Sequence, residues 1–107
     1  MEQILERYYE EISRAQGQRS PRTRDLARLR AIVRAARAWH VAGGRVNALL
    51  LLNKLLLEEC FDPVIFEDQG ALGSVGTLDE LVALVVRGMN NFSREMRNSS
   101  PWALARE

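Results

Sequence analysis

Cysteine is almost missing from this 107-residue chain, and Cys60, the single one, cannot close an internal disulfide. The fold must therefore hold through its core alone, as is usual in a reducing compartment. Cys60 follows an apolar helix and is expected to be a buried structural thiol. Histidine is as scarce: His40 stands alone, and no group of Cys, His, Asp or Glu has the spacing of metal ligands, so no metal site is expected. Long apolar runs are absent too. The longest unbroken stretch is Ala48 to Leu52, and polar Asn53 and Lys54 separate it from Leu55 to Leu57. A membrane-spanning helix needs about 20 mainly apolar residues, so no span is expected. Met1 to Glu6 has no basic region leading into an apolar stretch, which predicts no secretory signal. Repeats, heptads and low-complexity tracts are also missing.

What remains is an ordinary globular composition, 47% apolar and 27% charged, which disfavours disorder. The length fits one domain, expected over residues 1–97 with a polar tail over 98–107. The net charge of +1 hides an asymmetry. Between Arg19 and Arg45 eight arginines face one acid, Asp25, and outside that segment seven basic residues face thirteen acids. A basic stretch beside an acidic remainder directs attention to an acidic partner or to nucleic acid.

Hydrophobic spacing predicts four helices. Ile4, Leu5, Tyr8, Ile12 and Ala15 recur at intervals of three and four, giving an amphipathic helix over about Glu2 to Gln16 that stops at Gly17. Ser20-Pro21 has the form of a helix start, because serine can cap and proline lacks only an N–H that would be unbonded anyway. The second helix presents Leu26, Leu29, Ile32, Val33, Ala36 and His40 as its stripe and ends at Gly43-Gly44. Arg30, Arg34 and Arg37 fall on one flank of that stripe, Arg24 and Arg28 on the other. The third helix, about residues 45–60, is apolar in nearly every direction and is expected to be the buried central helix. Phe61-Asp62-Pro63-Val64-Ile65-Phe66-Glu67-Asp68 reads as a crossing segment, with a short unpaired strand as the alternative, and Gly70 to Gly76 as a loop. Thr77-Leu78-Asp79-Glu80 is a capping box that opens a fourth helix to about Met96, with Leu78, Leu81, Val82, Val85, Met89, Phe92 and Met96 inward. The fold class is all-α, a small bundle of about four helices.

Two constellations have chemical potential. Gly43-Gly44-Arg45 at the start of a helix can bind an anion through outward N–H groups and a guanidinium, although glycines in tight helix–helix turns are common. His40 lies just before it with no acid nearby, a setting more often structural than catalytic.

The order of these pieces resembles a known family. Ile4-Leu5-Glu6-Arg7-Tyr8-Tyr9-Glu10-Glu11-Ile12, an arginine-rich helix ending Ala38-Trp39-His40, a glycine loop with Arg45, Asn47-Ala48-Leu49-Leu50-Leu51-Leu52-Asn53-Lys54-Leu55-Leu56-Leu57 and Phe61-Asp62-Pro63-Val64-Ile65 are together similar to the C-terminal part of Fic-type domains. The likeness runs from about Ile4 to Phe92 and points to divergent Fic-like segments of bacterial effector proteins. Fic enzymes transfer a nucleotide monophosphate, usually AMP from ATP, to a protein hydroxyl. Their motif reads His-Pro-Phe-x-(Asp/Glu)-Gly-Asn-x-Arg, with the histidine as general base, the acid on Mg²⁺, and glycine, asparagine and arginine on phosphates.

Here that motif is broken. Counted back from Arg45 without gaps, Arg37 takes the base position, Trp39 the phenylalanine position, Val41 the metal-ligand position and Gly43 the asparagine position. A three-residue deletion makes His40 the base instead, in a loop with no carboxylate and no asparagine. The resemblance thus implies a catalytically degenerate Fic-like protein that binds another protein, with no cofactor expected. Arg30, Arg34 and Arg37 are the expected partner-binding residues, joined by Arg45, and the partner is expected to be acidic. The expected location is the cytoplasm, or a host cell after translocation. The alternative is an active AMP transferase using ATP and Mg²⁺, with His40 as base, Gly43, Gly44 and Arg45 on phosphate, and a metal ligand from a partner or from Glu67 or Asp68. A basic helical nucleic-acid-binding protein is the further alternative, less favoured because no aromatic side chains alternate with the arginines.

Overall fold

The computed structural model describes residues 2–43, 45–64 and 76–99, with side chains described for all but residues 2, 43, 45–47, 98 and 99. These residues form four helices: α1 (Glu2–Gln16), α2 (Pro21–Gly43), α3 (Arg45–Glu58) and α4 (Leu78–Ser99). The described residues contain no strand. The helix starts and stops follow local chemistry. Ser20 Oγ accepts the Thr23 N–H at 3.5 Å and Ser20 O accepts the Arg24 N–H at 2.9 Å, at the head of α2. Thr77 Oγ1 accepts the Glu80 N–H at 3.2 Å, the forward half of the capping box. Helix α4 runs past Met96 to Ser99. The expected loop before Gly76, the remainder of the crossing segment and the rest of the tail lie outside the described residues.

The hub of the bundle is α2, against which α1, α3 and α4 each pack. At 23 residues it is about 34 Å long, long enough to carry three neighbours at different places around its axis. Ala31, Ile32, Val33, Ala35 and Ala36 are all buried, five positions within six residues that cover most of the circumference. Alanine at 31 and 35 leaves room for α1 to come close, and Tyr8, Ile12 and Ala15 of α1 fill the other side.

The expectation of a central, wholly buried α3 is corrected here. Ala48, Leu52, Leu55 and Leu56 form a buried stripe at helical spacing, but Leu50 is 64% exposed and Leu57 58%. One main neighbour, α2, shields one face, and the opposite face of α3 stays in solvent. Leu26 and Met96 are likewise exposed instead of inward. Among the described residues no helix is long and apolar enough to cross a membrane.

Cys60 is not a buried thiol. It is exposed and adopts a left-handed backbone with φ of 65°. It ends α3 in a Schellman arrangement: the Phe61 N–H bonds Leu56 O at 2.8 Å and the Cys60 N–H bonds Leu57 O at 3.1 Å. Glycine normally takes this position, because a Cβ there crowds the following carbonyl. The turn directs the chain back over the bundle, where Asn53 Oδ1 accepts the N–H of buried Val64 at 2.9 Å.

Candidate functional site

The arginines of α2 and of the turn leading into it are the chemical feature that distinguishes this chain, and three groups of arginines stand out in the fold. The first is the flank of Arg30, Arg34 and Arg37, whose spacing of four and three keeps them on one side of α2. Arg30 Nη2 lies 2.6 Å from Asp79 Oδ1 in the first turn of α4. Arg34 Nη1 lies 2.6 Å from Glu11 Oε2 of α1, whose other oxygen receives Arg7 Nε at 3.2 Å. Arg37 Nη1 donates to Gly76 O at 2.9 Å, just ahead of α4. The residues expected to face a partner are therefore also the side chains that connect α1 and α4 to the hub. Asp79 and Glu80 at the head of α4 gain further from the positive end of that helix.

The second group is Arg28. Its Nη1 meets Asp25 Oδ1 at 2.9 Å, its Nε meets Glu59 Oε1 at 3.2 Å, its Nη2 donates to Glu59 O, and its guanidinium carbon stands 4.6 Å above the Phe61 ring. Arg28 thus fastens the end of α3 to α2. Nearby Tyr8 is 3% exposed. Burial first, and then the charges of Glu59 and Glu58 and the neighbouring Tyr9, push its hydroxyl well above the ordinary tyrosine value, with Arg28 acting in the opposite sense.

The third group is Arg14, Arg19 and Arg22, around the turn from α1 to α2. All three are exposed, and none forms a side-chain hydrogen bond or ion pair with the described residues. Arg14 also lines a cleft of about 340 Å³ between the end of α1 and the start of α2, together with Thr23, Leu26, Ala27, Arg30 and Arg34. Hydrophobic periodicity gave no sign of this place. The signal was the lack of any acid in the first turn of α2, which instead carries Arg22 and Arg24.

His40 falls in the last turn of α2. It is half-buried, and its Nε2 and the Nε1 of Trp39 are buried with no hydrogen-bond partner among the described residues. No carboxylate among the described residues bonds His40, so nothing there orients the ring as a base usually is oriented. Gly43 closes α2 and Arg45 opens α3, while Gly44, Glu67, Asp68 and the Arg45 side chain lie outside the described residues. Positions 41 to 44 are Val, Ala, Gly and Gly, so the turn supplies no side-chain oxygen to a hard cation such as Mg²⁺, and the residues present do not fit that ion. No group of three or more His, Cys, Asp or Glu gathers among the described residues.

No family model, no curated protein and no solved structure matches this chain.

Proposed function

We propose that the chain is a catalytically degenerate Fic-like protein that acts as a protein-binding module toward an acidic partner, in the cytoplasm or in a host cell after translocation. One observation carries the reading: between His40 and Arg45 there is neither a carboxylate nor an amide side chain. Phosphoryl-type transfer rests on positioning and on neutralising charge, and this turn has lost the groups that do both. The bundle around it keeps a buried core and charge clusters on α2. A surface kept without its chemistry supports binding, and α2 supplies the cationic side chains for an acidic partner.

Calorimetric titration with ATP and with ADP, each with and without Mg²⁺, tests the reading on the wild type and on Arg45→Ala. No nucleotide binding at millimolar concentration is the expected result. Metal-dependent binding that Arg45→Ala abolishes would overturn it.

The transferase reading has one observation in its favour: α3 opens at Arg45 directly after two glycines, with no acid in its first turn to repel a phosphate. ATP-dependent labelling of a target protein, lost in His40→Ala, would establish it.

A further inference from the structure

We infer that the cleft between the end of α1 and the start of α2 is where an acidic peptide segment of the partner docks, with at least one apolar side chain reaching Leu26. The inference rests on the protein-binding reading and gives that reading a place and a ligand chemistry.

Three observations bear on this cleft, which Arg14, Arg30 and Arg34 line, while Arg19 and Arg22 stand on the adjoining turn and helix start. The first is charge without an internal use. Arg34 is committed to Glu11 and Arg28 to Glu59, whereas Arg14, Arg19 and Arg22 are exposed and unpaired among the described residues. Asp25, the one acid between Arg19 and Arg45, is already bonded to Arg28. Arg30 borders the cleft too, and its pair with Asp79 is open to solvent on both sides, 43% and 74% exposed. Such a pair exchanges readily for another carboxylate.

The second observation is that folding does not explain the charge at the head of α2. Cations belong at the C-terminal end of a helix, where the dipole is negative. The first turn of α2 has no acid and carries Arg22 and Arg24 at the positive end. Arg24 recovers something by donating to Gln18 O at 3.0 Å, and Arg22 recovers nothing among the described residues. A carboxylate delivered there would meet the guanidinium and the positive helix end together.

The third observation is apolar surface in the same place. Leu26 lines the cleft at 43% exposed, beside Ala15 and Ala27. This surface favours a peptide over a nucleic acid. No aromatic residue lines the cleft as a stacking platform for bases. A peptide can place carboxylates on the arginines and an apolar residue on Leu26.

The probe is a fluorescein-labelled dodecapeptide of repeating Glu-Glu-Leu, followed by fluorescence anisotropy on the full chain at low ionic strength and at about 0.15 M salt. A Glu-Glu-Gly peptide and an oligothymidylate of the same length serve as comparisons. Replacing Arg14, Arg19 and Arg22 together by alanine is expected to weaken the Glu-Glu-Leu complex about tenfold. Replacing Arg87, Arg94 and Arg97 on α4, an equal loss of charge elsewhere, is expected to change it less than about twofold. Leu26→Ala is expected to remove the preference for Glu-Glu-Leu over Glu-Glu-Gly. Circular dichroism confirms that each variant is folded, and the arginines at issue hold no contact whose loss would unfold it. Absence of wild-type binding overturns the inference, as do equal losses in the two triple variants or tighter binding of the oligothymidylate. Failure here with no nucleotide binding in the calorimetry sinks the cleft alone, whereas metal-dependent nucleotide binding sinks the module reading whatever the peptide does.

Discussion

The guanidinium of Arg28 stands 4.6 Å above the ring of Phe61, the residue that follows the left-handed turn closing α3. The same side chain bonds both the carboxylate and the backbone carbonyl of Glu59, so one arginine on the hub secures the whole end of α3. Arg28→Ala is expected to cost about 2 kcal/mol through the lost cation–π contact and the hydrogen bonds to Glu59. Arg28→Lys keeps the charge and loses the planar fork, so it should recover less than half. Urea denaturation at 25 °C reads both, and a change under about 0.5 kcal/mol for Arg28→Ala would show that the clamp is idle.

Cys60 occupies a backbone region that suits glycine, at φ of 65°. Cys60→Gly is expected to stabilise the fold by about 1 kcal/mol, because the Cβ crowding goes and the thiol that is lost is exposed. Cys60→Val should destabilise by more than that. A lower denaturation midpoint for Cys60→Gly would mean that α3 does not end in this turn.

Leucines on the two faces of α3 should behave differently. Leu52 and Leu56 are fully buried, so Leu→Ala at either is expected to cost about 2–5 kcal/mol. Leu50 and Leu57 are more than half exposed, and the same change should cost no more than about 0.5 kcal/mol. Equal large losses at all four positions would restore the central, wholly buried helix that the apolar run suggested.

Asn53 spends its side-chain oxygen on the N–H of Val64, which is 6% exposed. Asn53→Ala leaves that donor without a partner in a dry place and is expected to cost about 1–3 kcal/mol. Asn53→Asp, which keeps an acceptor, should cost less by the same urea measurement.

Tyr8 gives the fold an alkaline limit. Its folded-state pKa lies above the unfolded value near 10 because burial opposes the phenolate. Above pH 10 the unfolded chain releases this proton while the folded chain keeps it, so the contribution of Tyr8 is complete below pH 10 and falls as pH rises beyond it. Tyr8→Phe should therefore show a shallower loss of stability between about pH 10 and 12. An identical slope in the two proteins would mean that Tyr8 is hydrated.

Local signals were legible in the chain because they act within a few residues. Ser20-Pro21, Thr77 to Glu80 and the spacing of Tyr8, Ile12 and Ala15 mark three helices by capping and periodicity, and those helices stand where these marks put them. The flank shared by Arg30, Arg34 and Arg37 was likewise readable from helical spacing alone. Gly76, Asp79 and Glu11 were not readable as their partners, since those contacts join residues 23 to 49 positions apart.

The sequence by itself determined helix number and placement, the absence of a carboxylate between His40 and Arg45, and the concentration of arginine on one helix. Each is a matter of local composition or of backbone hydrogen bonds made within a turn. Only the tertiary structure decided that α2 is the hub, that α3 leaves Leu50 and Leu57 in solvent, and that Arg14, Arg19 and Arg22 stay unpaired among the described residues. An apolar run states that a helix prefers to be buried, but burial depends on how many neighbours reach it. Small residues at Ala31 and Ala35 let α2, for all its charge, take the most.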